Sequence, residues 1–162
     1  MSAIEPSGDF YGFTPRVPFS ESFDGLLGLE LLEGELGDGE KVRARVSVRG
    51  ELLGPDGTVH GGVLAALAEA LASRGTALAA LPAGMMAQGL SNDTTRTGLV
   101  RAGTLHGEAR PVSRAQDVWV WAVEMRDDAG QMCGFARVTI ALRPLDGGER
   151  NVWSAERPAS NA

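Results

Sequence analysis

The sequence predicts an α+β fold, one long helix set against an antiparallel sheet of about six strands. Three observations point to it. Residues 61–81 form an apolar run of helical length with no two-residue alternation. Two stretches before that run and four after it have strand character. The segments between them are short and marked by Gly, Pro and Asp. With 162 residues, 43% of them hydrophobic and 22% charged, the chain reads as one globular domain with enough mass for a real core.

Residues 1–20 carry Pro6, Pro15 and Pro18 with Phe10, Tyr11 and Phe13 between them, and read as an extended segment. The domain proper is expected over residues 21–144. Residues 28–36 contain a short strand, closed by the turn signal Gly37-Asp38-Gly39. Residues 41–49 alternate, with Val42, Ala44, Val46 and Val48 on one face and mostly Lys and Arg on the other, as in a half-buried strand. Gly54-Pro55-Asp56-Gly57 is a loop. The helix ends at Pro82-Ala83-Gly84. Residues 85–97 make a long strand rich in Ser and Thr, and residues 104–112 alternate weakly. Residues 118–125, with Trp119 and Trp121, favour β-structure. Asp127-Asp128-Ala129-Gly130 is a hairpin turn into 132–142, where Ala136, Val138, Ile140 and Leu142 share a face. Residues 145–162 read as a tail.

A helix nearly surrounded by sheet should be apolar on almost every side. Leu64, Leu67, Leu71 and Leu78 fall at helical spacing as its main core stripe. Glu69 projects about 200° away from Leu67. Beside it come Gly62, Ala65 or Ala66, Ser73 and Thr76, a narrow polar side that lets a ligand or a second subunit come close.

Charge and cysteine content narrow the function. The net charge is −6, with fourteen Arg and one Lys, which makes the chain a poor candidate for nucleic-acid binding, since that needs a basic face. An anionic ligand remains compatible, because a few Arg and a helix N-terminus can gather phosphates. Cys133 is the single cysteine, which excludes an intramolecular disulfide and a cysteine-based metal cluster; it reads as a small buried residue. The N-terminus has no basic or apolar signal region. Glu69, Ser73 and Arg74 interrupt the most apolar stretch, which is therefore not expected to span a membrane. A cytoplasmic protein without metal or cofactor is expected.

Two parts of a site are visible. Glu69 stands alone in an otherwise uncharged run, where burial of a carboxylate costs several kcal/mol unless it is paired or protonated. Such a group is a candidate nucleophile or general base. The other part is the helix start at His60-Gly61-Gly62, whose first amides lack partners within the helix and carry the positive end of its dipole. Glycine amides there can approach a carbonyl oxygen closely and stabilise an oxyanion, although two glycines also suit close packing. His60 suits a loop-orienting role as well as chemistry. Eight residues of helix place Gly61 and Glu69 roughly 12 Å apart, too far for one carbonyl to touch both. If both act on one substrate, Gly61 of one chain meets Glu69 of another, which predicts a homodimer with two interface sites. Trp119 and Trp121 share strand parity and suit core or interface packing. Met85 and Met86 suit core filling or an acyl pocket.

The segment from Val59 to Glu69 (Val-His-Gly-Gly-Val-Leu-Ala-Ala-Leu-Ala-Glu), followed by Gly84-Met-Met-Ala-Gln-Gly-Leu-Ser-Asn92, resembles the hotdog-fold acyl-CoA thioesterases. The resemblance is strongest to the hydroxybenzoyl-CoA thioesterases with Glu on the central helix, next to the phenylacetate-pathway (PaaI-like) enzymes. Trp119-Val-Trp121, residues 126–130, Cys133 and Ile140-Ala-Leu-Arg-Pro144 extend it over roughly residues 41–144. It implies hydrolysis of acyl-CoA, with aryl or arylacetyl groups favoured, by a dimer or a tetramer built from dimers. It makes Glu69 the catalytic carboxylate, Gly61 the amide that polarises the thioester, and Ser73 a residue that places the water or the carboxylate. His60 joins them at the helix start. Gly62, Asn92, Met85, Met86, Arg96, Arg101, Gln116, Asp117 and Arg143 are the implied substrate-binding positions.

The departures from the family pattern are specific. The family's Gln six residues before the His is Gly54 here, with Asp56 or Asn92 as possible substitutes. Its Arg-Pro pair after Ser91-Asn92 is replaced by Arg96-Thr-Gly-Leu, which leaves Arg96, Arg101 and Arg143 as candidate phosphate contacts. Its Ser-Thr pair is Gln116-Asp117, and its Arg beyond Pro144 is Asp146. The expected reaction core is thus more complete than the CoA clamp. A hotdog enoyl-thioester hydratase or dehydratase, and a non-catalytic acyl-CoA-binding protein, remain as alternatives.

Overall fold

The computed structural model describes residues 3–4, 17–32 and 40–144. Most of the N-terminal segment and the tail expected at 145–162 lie outside the described residues. Seven antiparallel strands form one sheet: β1 (Ala3–Ile4), β2 (Leu29–Leu32), β3 (Val42–Ser47), β4 (Met85–Arg96), β5 (Thr104–Arg114), β6 (Val118–Arg126) and β7 (Met132–Pro144). Their order is β1-β2-β3-β5-β6-β7-β4. A short α1 (Phe23–Leu27) precedes β2, and the long α2 (Gly61–Ala80) separates β3 from β4. This is the α+β layout of the hotdog fold, a sheet curled around one central helix. The expected order of elements along the chain holds for β2 to β7 and α2, with each boundary moved by a few residues at most, and the two-residue β1 is added in the segment expected to be extended.

The sequence reading missed α1, whose signals are short. Ser22 caps it by accepting from the Gly25 N–H at 3.3 Å, and Gly28 ends it in the left-handed region at φ 73°. Arg49 then donates to the carbonyls of Leu26 and Leu27 at its C-terminus.

The core forms where the predicted faces meet. Val42, Ala44 and Val46 of β3 and Ala136, Val138 and Ile140 of β7 are buried, as is the helix stripe Leu64, Leu67, Leu71 and Leu78. Two glycines let the layers close. A Cβ on Gly107 would sit 2.6 Å from Leu71 Cδ1, and one on Gly75 would overlap the Trp121 ring at Cη2. Trp121 is fully buried, and its indole N–H donates to Thr76 Oγ1 at 2.9 Å. Thr76 in turn donates to the Ala72 carbonyl at 2.9 Å. Thr76 therefore belongs to the core and not to the polar side beside Glu69: the curled sheet reaches further round the helix than a flat face would. The helix is long and apolar enough to cross a membrane by length and composition, but its leucines are covered by the sheet.

Strand β4 positions the candidate site. It is 12 residues long and, among the described residues, pairs on one side only, with β7, so it forms an edge of the described sheet. Its register shifts between Gly89 and Ser91, a bulge with Leu90 exposed at its tip.

Candidate active site

Helix α2 begins at His60, which is extended (φ −62°, ψ 139°) and caps the helix with its own ring. His60 Nδ1 accepts from the Gly62 N–H at 3.0 Å, which places the ring proton of neutral His60 on Nε2. This is the loop-orienting role. It also removes Gly62 as a donor. The Val63 N–H goes to the His60 carbonyl at 2.9 Å. The Gly61 N–H has no partner among the described residues, and it lies at the positive end of a 20-residue helix. A Cβ on Gly61 would meet nothing within 4 Å, so packing inside the chain does not require glycine there.

Gly61 opens onto a cleft of about 480 Å³ lined by Gly54, Pro55, Asp56, His60, Gly61 and Arg96. The loop at its rim is built from within. The Gly54 N–H donates to the Thr58 carbonyl at 2.7 Å, and Gly57 turns the chain at φ 70°. Asp56 accepts from the Thr58 N–H at 3.1 Å and from its hydroxyl at 2.8 Å. These hydrogen bonds hold the Asp56 carboxyl below the usual carboxylate range. Arg96 Nη1 donates to Thr58 Oγ1 at 3.4 Å. The Val59 N–H donates to the Val100 carbonyl at 2.7 Å, which brings the loop after β4 alongside. Arg101 follows Val100 on that loop, is exposed and is not among the residues that line the cleft.

Glu69 lies two turns further along α2, against β4. It is half-buried, more open than its apolar sequence context suggests, because the helix face beside the β4 edge is uncovered. Ser73 Oγ donates to Glu69 Oε1 at 3.3 Å. Asn92 Nδ2 donates to the Ala65 carbonyl at 2.9 Å and reaches Glu69 Oε2 at 3.5 Å. No cation bonds the carboxylate among the described residues.

The expected residues thus fall into three groups. Gly61, Gly62, His60 and Arg96 meet at the helix start, and Glu69, Ser73 and Asn92 meet at mid-helix. Met85, Met86 and Arg143 lie together at the far end of β4 and β7, where Met86 pairs with Arg143. Gln116 and Asp117 lie in the adjacent β5–β6 turn, where the Asp117 carbonyl accepts from Leu142. The helix spans roughly 30 Å, so this third group does not reach the Gly61 cleft of its own chain. Trp119 serves packing, half-buried with Arg114 over its ring at 4.8 Å. Cys133 is buried, and its Sγ donates to the Met125 carbonyl at 3.2 Å. No group of three His, Cys, Asp or Glu able to hold a metal occurs among the described residues. Sequence reasoning missed Gly89, which faces Glu69, and it did not place Pro55 at the cleft or Thr58 behind it, between Asp56 and Arg96.

No protein-family model matches the chain. Individual proteins do. The chain is 35% identical over 127 residues to "Putative esterase Rv1847" of Mycobacterium tuberculosis, covering 76% of this chain and 86% of that protein. The structure of thioesterase HI1161 from Haemophilus influenzae superposes with a TM-score of 0.74 at 28% identity, over 82% of this chain and 90% of that one. Thioesterase PA1618 from Pseudomonas aeruginosa, solved as a glutamine-to-alanine mutant, gives 0.73 at 28% identity over 78% and 89%.

Proposed function

The chain belongs to the hotdog-fold thioesterase family, and from that premise we propose that it hydrolyses acyl-CoA thioesters, with aryl- and arylacetyl-CoA favoured, to the free acid and CoA. The observation that carries the reading is the Gly61 N–H, without a partner among the described residues, on a residue that lines an open cleft at the positive end of α2. The thioester oxygen sits on that donor. Charge develops on the oxygen as the carbonyl is attacked, so a donor fixed in advance lowers the barrier. Glu69 supplies the attack, directly through a carboxylate oxygen or by taking a proton from water. CoA leaves as a thiolate, which is stable near neutral pH, so no dedicated general acid is needed.

In this proposal the Gly61 cleft of one protomer works with Glu69 of its partner, since about 12 Å of helix separates the two within a chain. The β4 edge, open among the described residues, supports such a dimer, because a long strand with one unpaired edge invites pairing with another copy. An antiparallel β4–β4 contact carries the Met85, Met86, Arg143 and Gln116 end of one chain towards the cleft of the other. This offers those residues a role in substrate binding, and a pair of dimers gives the tetramer.

The test is thiol release from benzoyl-, phenylacetyl- and medium-chain acyl-CoA by wild type and Glu69→Gln. A loss of 10²–10⁴-fold in kcat is expected for the variant. Folded, oligomeric wild type that releases no thiol from any of them overturns the proposal. Loss of enoyl absorbance without thiol release would point to a hydratase, and stoichiometric CoA binding without turnover to a binding protein.

A further inference from the structure

We propose that Arg96 is a catalytic residue of this chain, its guanidinium forming the second donor to the thioester oxygen beside the Gly61 N–H. The inference rests on the thioesterase reading above and deepens it. Of the described residues that line the cleft, Arg96 is the only cation and the only side chain with several hydrogens to give. The other donors there are few. The Gly62 N–H is taken by His60, and His60 Nδ1 is itself an acceptor. Pro55 has no N–H, and the Gly54 N–H is bonded to Thr58. A developing oxyanion would therefore find the Gly61 amide, the His60 Nε2–H and Arg96, and of these the guanidinium alone carries a charge. A charged donor makes a hydrogen bond roughly twice as strong as a neutral one.

The placement of Arg96 is built and not incidental. It ends β4, paired with Gly134 of β7. Its Nη1 is steered by Thr58 Oγ1 at 3.4 Å, and Thr58 is 1% exposed. Thr58 is fixed in turn by Asp56, which accepts from its hydroxyl at 2.8 and 2.9 Å. One long hydrogen bond leaves the rest of the guanidinium available. Asp56 is the competing acceptor in the cleft. It acts on Arg96 through space and forms no ion pair with it, because both of its oxygens are turned to Thr58.

Gly54 completes the argument. A Cβ there would lie 3.3 Å from Asp56 Oδ1 and 3.8 Å from His60 Cδ2, so a side chain at residue 54 would enter this same cleft. Glycine supplies no donor and leaves the space to Arg96. In the reaction, the attacking oxygen bonds to the carbonyl carbon while the carbonyl π pair moves onto oxygen. Arg96 and Gly61 hold that oxygen. The pair then returns, the C–S bond breaks and the thiolate leaves with the electrons. Water supplies the second carboxylate oxygen and gives up both its protons, one by way of Glu69 to the departing thiolate and the other to solvent, while Arg96 keeps its own throughout.

The experiment measures kcat and KM for Arg96→Ala, Arg96→Lys and the double variant Gly54→Gln/Arg96→Ala. Two substrates are used: benzoyl-CoA and benzoyl-N-acetylcysteamine, which has the thioester but no phosphate. Arg96→Ala is expected to lower kcat 10²–10³-fold on both substrates, with Arg96→Lys between it and wild type. Gly54→Gln in the alanine background is expected to restore part of kcat by returning a neutral donor to the cleft. Circular dichroism checks that each variant is folded. A rise in KM for benzoyl-CoA alone, with the truncated thioester unaffected, would assign Arg96 to a phosphate and overturn the inference. So would unchanged kcat on both substrates, and the thioesterase reading would survive either result. If the truncated thioester is not turned over, the split between kcat and KM on benzoyl-CoA decides. If wild type is inactive on benzoyl-CoA, the same split is read on whichever of phenylacetyl- and medium-chain acyl-CoA it turns over, and wild type inactive on all three would end this inference together with the reading it rests on.

Discussion

The Glu69 carboxylate occupies the place where a side chain at residue 89 would begin. A Cβ built on Gly89 would overlap Glu69 Oε1 and lie 3.1 Å from the carboxyl carbon. Gly89 pairs with Ile140, immediately before the bulge that displaces Leu90. The bare backbone of β4 thus forms the floor on which the carboxylate rests. Ser73 and Asn92 hold its two oxygens by bonds of 3.3 and 3.5 Å, long enough to orient the group without occupying it fully.

Gly89→Ala is therefore expected to lower kcat by about 10²-fold, the cost of moving a reacting group by an ångström or so. The effect should fall on kcat more than on KM, because no part of the substrate need lose a contact. Steady-state kinetics beside a thermal melt checks it: a variant that melts like wild type and turns over like wild type would remove Gly89 from the site.

How far the sequence could reveal this arrangement depended on the physics behind each residue. Period-two burial was legible in Val42, Ala44 and Val46, and period-3.6 burial in Leu64, Leu67 and Leu71, because those faces have a single neighbour. The helix start at His60 was legible because two glycines after a capping residue have few other meanings. Thr76 misled, because it follows Glu69 by seven residues and shares its side of the helix, yet the curled sheet carries Trp121 round to meet it. Glu69 looked more deeply buried than it is, since sequence does not reveal which helix face meets a sheet edge. The cleft around Arg96 depends on two loops meeting through Val59 and Val100, a contact between distant positions with no local signal.

The Trp121 knot sets a stability test in which two local effects compete. Gly75→Ala adds a good helix former, a gain of about 1 kcal/mol. Its new methyl, however, would sit 2.9 Å from Trp121 Cζ2 and closer still to Cη2. Overpacking of a tight core costs about 1–3 kcal/mol, so net destabilisation is expected. Thr76→Val keeps the volume but strands the indole N–H in the core, at about 1–3 kcal/mol. Urea melts of both variants check these signs. A Gly75→Ala protein more stable than wild type would mean that the helix can shift away from the ring.

A pH test falls on the sheet's outer face. Burial alone would raise the Glu108 carboxyl, but hydrogen bonds from Arg43 and Arg110 outweigh it and hold the group below the ordinary glutamate range. A carboxyl lowered in the folded state stabilises the protein at pH values above its unfolded pKa. That contribution is lost as pH falls through the folded value. Glu108→Gln should therefore cost up to about 1 kcal/mol at neutral pH, and the difference from wild type should shrink from about pH 5 downward. Paired thermal melts across that range check it, and a difference that grows in acid would reverse the sign.

The two halves of the proposed site can be assigned to different chains by a mixing experiment. Gly61 is the first residue of α2, where proline is tolerated, and His60 before it already has the extended conformation that a following proline requires (φ −62°, ψ 139°). Nothing lies within 4 Å of a Cβ at Gly61 to obstruct the ring. Gly61→Pro thus removes the N–H donor with little else, and kcat is expected to fall 10²–10³-fold. Glu69→Gln disables the other half. In a dimer whose sites each draw Gly61 from one chain and Glu69 from the other, a mixed pair holds one doubly damaged site and one intact site. Co-refolding equal amounts of the two inactive proteins makes half the dimers mixed, so activity should return to about a quarter of wild type. If Gly61 and Glu69 of the same chain served one substrate, every site in the mixture would keep a lesion and nothing would return. Leu90→Lys, placed at the exposed tip of the β4 edge, should then remove both the dimer and the recovered activity, because a lysine there opposes strand pairing.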